Sequence, residues 1–146
     1  MIFKPNYDSE GNQLSPTLKQ GIKNFLIDID GTICDDVPNE EPERMTTATP
    51  LPGAKEAINK FYEEGNVITF FTSRTEEHRE RTTNWLDEHG FLYHDLLMGK
   101  PRGGNYAIID NHLFVACHYQ GNWNSVLDQM KDVHVKPYKF SFNGSN

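Results

Sequence analysis

Two aspartates one residue apart, Asp28 and Asp30, close the short apolar run Phe25, Leu26, Ile27 and are followed by Gly31 and Thr32. Side chains on a strand alternate between faces, so Asp28 and Asp30 point to one side while Ile29 points away into packing. One metal ion or one reacting group could then meet both carboxylates. Further reactive groups stand behind later apolar runs: Thr72, Ser73 and Arg74, then Lys100, then Asp110. Asp28, helped by Asp110 and a backbone carbonyl near Asp30, offers hard oxygen ligands of the kind Mg²⁺ takes beside substrate phosphate. An anionic nucleophile must approach an anionic phosphate, and two unit charges about 4 Å apart repel by about 4 kcal/mol at an effective dielectric of about 20. A metal would remove that repulsion, and Lys100 and the Thr72 hydroxyl supply further charge and hydrogen bonds. This inventory suits phosphoryl transfer, which needs mostly positioning and charge stabilisation. A strand that merely ends in an Asp-Gly turn is the plainer explanation of Asp28 to Thr32 taken alone. Four reactive strand ends in order outweigh it.

The elements that must position these groups are legible in the hydrophobic pattern. Phe25 to Ile27 reads as a strand buried on both faces of a parallel sheet. Ala54, Ala57, Ile58 and Phe61 fall at helical spacing, with Gly65 as a left-handed stop. Val67 to Phe71 is β-branched and aromatic, a second buried strand. Residues 76–89 carry Thr82, Trp85, Leu86 and His89 on one helical face before Gly90. Residues 92–98 and 106–109 read as further strands, 113–117 as an edge strand, and Trp123, Val126, Leu127 and Met130 as a short closing helix. Alternating strands and helices of this length imply right-handed βαβ units and a parallel sheet covered on both faces. Ligands of such sheets sit at the carboxyl ends of the strands, where every group named above lies.

The remaining segments bound the domain. Residues 1–22 are polar and read as an edge hairpin or loose arm around Asp8 to Asn12, residues 23–132 as the catalytic domain, and residues 133–146 as a C-terminal tail. Residues 33–52 hold four prolines and five acidic residues, the composition of a long loop or flap. The net charge of −7 disfavours general nucleic-acid affinity and attraction to anionic membranes. Cys34 and Cys117 lack the spacing of a disulfide framework or a zinc site, so a reducing cytoplasmic setting is expected. Met1 to Tyr7 is too polar for a signal peptide, and no run is long enough to span a membrane. Cys34 lies near the site but has no His partner beside it, so packing is its expected role.

With Asp28, Asp30 and Thr32, then Thr72, then Lys100, then Asp110 on the page, the chain resembles the haloacid dehalogenase-like superfamily of aspartate-nucleophile phosphatases over roughly residues 25–111. The resemblance implies a Rossmann-like three-layer α/β/α sandwich with a mainly parallel sheet. It also implies roles: Asp28 as nucleophile forming a phosphoaspartyl intermediate, and Asp30 as acid for the leaving alcohol and then base for water. Thr72, Ser73, Arg74 and Lys100 would bind substrate, and Mg²⁺ would be held by Asp28, the Asp30 carbonyl and Asp110. Asn111 follows Asp110 where many members place a second acid. A carboxyl at position 30 favours hydrolysis of a phosphate monoester over dehalogenation or a lasting phosphoenzyme. One helix and one strand fill the gap from Thr72 to Lys100, leaving no room for a full cap domain. Such an open site is similar to capsule-biosynthesis-type and polynucleotide-phosphatase-type members, so the expected substrate is a sugar phosphate or another small phosphorylated metabolite. A phosphomutase, a polynucleotide-end phosphatase and a non-catalytic phosphate-binding or scaffold protein are the alternatives, and a homo-oligomer stays open.

Overall fold

Asp8 turns the N-terminal arm back on itself. One of its carboxylate oxygens accepts the backbone N–H of Glu10 and of Asn12, each at 2.9 Å, and Gly11 takes a positive φ of 85° to close the turn. The result is a two-stranded antiparallel hairpin, β1 (Asn6–Tyr7) and β2 (Gln13–Leu14), which forms its own small sheet. The computed structural model describes residues 5–15 and 18–131. The expected tail over residues 133–146 lies outside the described residues, as do residues 1–4 of the arm.

The main sheet has three parallel strands, β3 (Asn24–Ile27), β4 (Val67–Phe71) and β5 (Asp95–Leu97), with β4 in the middle. Phe25 lies opposite Ile68, Ile27 opposite Phe70, and Phe70 opposite Leu96, so these five side chains share one face. The first helices in chain order are α1 (Arg44–Thr47), α2 (Ala54–Glu63) and α3 (Arg79–Glu88), the last preceded by a 3₁₀ turn at Glu76–His78. That face is covered by α2 and α3, and α1 lies against α3. Phe61 of α2 stacks on Phe25 with ring centroids 4.5 Å apart, and Phe91 meets Phe70 edge-on while stacking against Trp85 of α3. Asn66 staples the α2–β4 turn to the start of β3, accepting the Lys23 N–H at 3.0 Å and donating to the Phe61 carbonyl at 3.1 Å.

The opposite face corrects one expectation. Leu26 is 60% exposed and Leu97 43% exposed, so β3 is not buried on both faces. Leu26 stands at the end of the strand order and on the side away from α2, where no partner strand flanks it among the described residues. A continuous apolar run identifies a strand but does not say how many of its faces are covered.

Residues 33–52 fold onto α3. Ile33, Cys34 and Met45 are fully buried, Trp85 Nε1 donates to the Ala48 carbonyl at 2.9 Å, and Arg81 Nη1 donates to the Pro42 carbonyl at 2.8 Å. The loop is closed at its root by Leu51 N–H to the Ile33 carbonyl and Asp35 N–H to the Thr49 carbonyl.

From Gly103 the chain forms a second compact unit. Its described residues carry one helix, α4 (Trp123–Lys131), with Trp123 and Val126 buried. Residues 106–109 and 113–117, expected as strands, are not strands. Gly103, Gly104 and Asn105 all have positive φ, which turns the chain sharply at the entry, and Ile109 is 97% exposed. Apolar composition makes a strand only where a neighbouring strand accepts its ladder, and none does so here among the described residues. Among those residues no helix is long and apolar enough to cross a membrane.

Candidate active site

β3 ends at Ile27, and the next residues form a tight turn rather than more strand. Ile29 is fully buried and its carbonyl accepts the N–H groups of Thr32 and Ile33, while Gly31 takes φ 80° and donates its N–H to the Cys34 carbonyl. A side chain at that φ would be strained, which accounts for glycine between Asp30 and Thr32. Asp28 and Asp30 stay partly accessible on either side of the buried Ile29, as the alternation requires.

The Asp28 carboxylate is held from two directions. Lys100 Nζ lies 2.9 Å from one oxygen and the Thr32 hydroxyl donates to the other at 3.0 Å. The Lys100 side chain is 13% exposed and that of Asp28 37%, so the pair lies at the rim of the sheet with the carboxylate the more open partner. Backbone bonds across the ends of β4 and β5 set Lys100 there: Thr72 N–H to the Leu97 carbonyl, Gly99 N–H to the Arg74 carbonyl, and Lys100 N–H to the Thr72 carbonyl. The Lys100 ammonium also stands 5.6 Å above the Phe71 ring.

Asp30 has a different partner. Arg74 Nη2 donates to one Asp30 oxygen at 2.7 Å and Arg74 Nε to the other at 2.9 Å, a two-pronged pair. The Arg74 side chain is 1% exposed. Expected at an anionic group of the substrate, Arg74 is instead turned inward, with its third contact from Nη1 to the Thr82 hydroxyl at 3.0 Å. Thr72 is fully buried beneath, its hydroxyl accepting the Arg74 backbone N–H at 3.2 Å. Ser73 is half-buried next to it, and its carbonyl meets Arg102 Nη2 at 3.5 Å.

Asp110 belongs to the second unit, where its carboxylate accepts the His112 N–H at 2.9 Å. That backbone bond, with the His112 ring beside it, holds the Asp110 carboxyl below the usual carboxylate range. Among the described residues no three His, Cys, Asp or Glu side chains converge on one point. A cage made wholly of protein side chains is therefore absent there. The hard oxygens at Asp28 do fit Mg²⁺, an ion that is usually content with one or two carboxylates and completes its shell with substrate phosphate and water.

Cys34 is packed, as expected. Burial first, then the neighbouring Asp30 charge, pushes its thiol up to about 12, so it stays protonated and is no nucleophile at neutral pH. Two contributors were not assigned a role from the residues alone. Thr32 orients Asp28 from four positions downstream, a spacing open to reading in the motif itself. Thr82 falls on the buried face of α3 and is legible only as packing.

A family model described as PITM 1-3, LNS2 domain matches residues 25–105 of this chain. The match takes in Asp28, Asp30, Thr72, Arg74 and Lys100 and stops short of Asp110. A Bacillus cereus protein named "Putative nucleotidase" is 38% identical over 50 residues, which is 34% of this chain and 26% of that protein. The chain thus matches about a quarter of the length of that curated relative. A crystal structure of a protein from Vibrio cholerae superposes with a TM-score of 0.54 at 19% identity, covering 78% of this chain and 95% of the other. That likeness concerns the fold, and it agrees with the mixed α/β architecture around a parallel sheet.

Proposed function

The chain belongs to the family described as PITM 1-3, LNS2 domain, and from that premise we propose that it is a Mg²⁺-dependent phosphatase of the haloacid dehalogenase type, hydrolysing a phosphate monoester through a phosphoaspartyl intermediate. The observation that carries this reading is the Asp28 carboxylate, one oxygen on Lys100 Nζ at 2.9 Å and the other on the Thr32 hydroxyl. A half-open carboxylate steadied by a cation at a strand end is the arrangement a phosphate-attacking nucleophile needs.

In the first step an Asp28 oxygen bonds to phosphorus while the ester P–O bond breaks, and the departing oxygen takes a proton from Asp30. In the second, water bonds to phosphorus and gives its proton to Asp30 as the Asp28–phosphorus bond breaks. Lys100 offsets negative charge through both steps and, with Ser73, binds the phosphoryl oxygens, while the buried Thr72 hydroxyl supports the loop from beneath by accepting the Arg74 backbone N–H. Mg²⁺, held by Asp28 and the Asp30 carbonyl, would neutralise phosphate and carboxylate when bound. The same reading carries a site without a full cap domain, supported by the short span between Thr72 and Lys100, which holds only the 3₁₀ turn, α3 and β5. An uncapped site suits a small phosphorylated metabolite such as a sugar phosphate, and the relative's name keeps nucleotides within that class. Free Cys34 and Cys117 support a reducing, cytoplasmic setting.

A second reading, a phosphate-binding protein without turnover, draws on the lack of three converging metal-capable side chains among the described residues. The deciding measurement is phosphate release from a panel of sugar phosphates, nucleotides and an aryl phosphate with fresh Mg²⁺. Turnover that stops with EDTA supports the phosphatase; phosphate binding by calorimetry with no turnover on any ester supports the rival.

A further inference from the structure

We propose that Arg74 is a positioning residue that works through Asp30: its guanidinium fork, itself braced by Thr82, sets the orientation of the acid–base carboxylate and never touches substrate. The inference rests on the phosphatase reading and adds a specific role to it.

The geometry points away from a substrate contact. Nε and Nη2 of Arg74 each take one oxygen of Asp30, and Nη1 takes the Thr82 hydroxyl. All three nitrogens are therefore engaged within the protein, on a side chain that is 1% exposed. Thr82 is in turn fixed, since its hydroxyl donates to the His78 carbonyl at 2.7 Å and the residue has no exposed surface. The chain of contacts runs from the first turn of α3 through Thr82 and Arg74 to Asp30. At its other end, the Arg74 backbone N–H reaches the Thr72 hydroxyl and the Arg74 carbonyl accepts the Gly99 N–H. Arg74 thus ties the acid–base carboxylate to the same loop that carries Lys100.

A two-pronged guanidinium pair fixes a carboxylate in plane as well as in position, which a single ammonium cannot do. The fork also receives the carboxylate that remains after Asp30 has handed its proton to the leaving oxygen, and holds it in place to take a proton from water in the second step. Positioning of this kind matters only where proton transfer is difficult. Its loss should therefore be read in the leaving group and not in substrate affinity.

The experiment compares Arg74→Lys with wild type on an aryl phosphate and an alkyl phosphate, with Asp30→Asn and the double variant alongside. The expected result is a drop in kcat of about ten- to a hundredfold for the alkyl ester and under about threefold for the aryl ester, with KM within about twofold for both. In the Asp30→Asn background the same substitution should cost under about twofold, because the group it acts through is already gone. If KM rises for both esters, Arg74 binds substrate and the proposal is overturned. Equal kcat losses on the two esters overturn it as well, and so does full additivity with Asp30→Asn. If wild-type protein turns over neither ester, the phosphatase reading itself fails and takes this inference with it, an outcome distinct from the other three. Should Arg74→Lys fail to fold by circular dichroism, Thr82→Val removes the brace alone. It should give the same alkyl-selective pattern at about three- to tenfold, and equal losses on both esters would count against the proposal.

Discussion

Lys100 Nζ and Asp28 Oδ1 stand 2.9 Å apart although 72 residues separate them in the chain. The contact spans three strand ends, because β3 delivers Asp28, β4 accepts the returning loop through Thr72, and β5 launches it. Lys100→Met should leave the fold intact, since the partner carboxylate is 37% exposed and can be solvated. Under the phosphatase reading it should lower kcat by about 10²–10³, the usual cost of removing one preorganised charge donor. Steady-state kinetics beside a thermal melt will separate the two effects, and an unchanged kcat would remove Lys100 from the site.

The two aspartates should fail differently. Asp28→Asn removes the nucleophile, so turnover should fall by about four orders of magnitude or more on every ester, with no phosphoenzyme. Asp30→Asn keeps the nucleophile and should lose about 10²–10⁴ on an alkyl phosphate but far less on an aryl phosphate, whose leaving group needs little protonation. Mass spectrometry should then find a hydroxylamine-sensitive adduct in Asp30→Asn protein alone. Near wild-type turnover by folded Asp28→Asn protein would refute the nucleophile assignment.

Cys34 provides a test that needs no substrate. With its thiol pushed up to about 12, the thiolate at pH 8 is about one part in ten thousand, and native protein should resist iodoacetamide there while denatured protein reacts. The folded-state value lies above the ordinary 9.0, so the stabilisation is whole below about 9 and fades as pH rises from there through about 12. Denaturation midpoints measured between pH 8 and 11 should fall for wild type more steeply than for Cys34→Ser. Rapid labelling of native protein at pH 8 would show that the thiol is not buried.

Neighbouring residues on β3 should respond oppositely to truncation. Ile27 is 7% exposed on the covered face and Leu26 60% exposed on the other. Ile27→Ala should cost about 2–5 kcal/mol, and Leu26→Ala under about 1 kcal/mol. Urea midpoints for the two variants test which face is the core, and equal losses would contradict the one-sided burial described above.

Much of this protein follows from local pattern. α2 over Ala54–Glu63 and β4 over Val67–Phe71 lie where helical spacing and β-branched composition put them, because both signals come from burial of one helix face or one strand. The glycine stops after α2 and α3 follow from the backbone alone, with Gly65 at φ 93° and Gly90 at φ 76°. Asp28 and Asp30 could be singled out for the same reason, since a two-residue repeat at the end of an apolar run is a local property.

Partnership is not local. Nothing in the neighbourhood of Arg74 distinguishes a guanidinium aimed at substrate from one clamped on Asp30 44 residues earlier, and only the crossing of β3 beside β4 decides it. Residues 106–109 are as apolar as β3, yet a strand exists only where another strand accepts its hydrogen bonds, and that depends on the whole topology. The open side of Leu26 has the same origin. Sequence by itself determined which residues can do chemistry and which segments bury a face; the tertiary structure alone decided which charge meets which, because ion pairs and sheet ladders join positions that the chain keeps far apart.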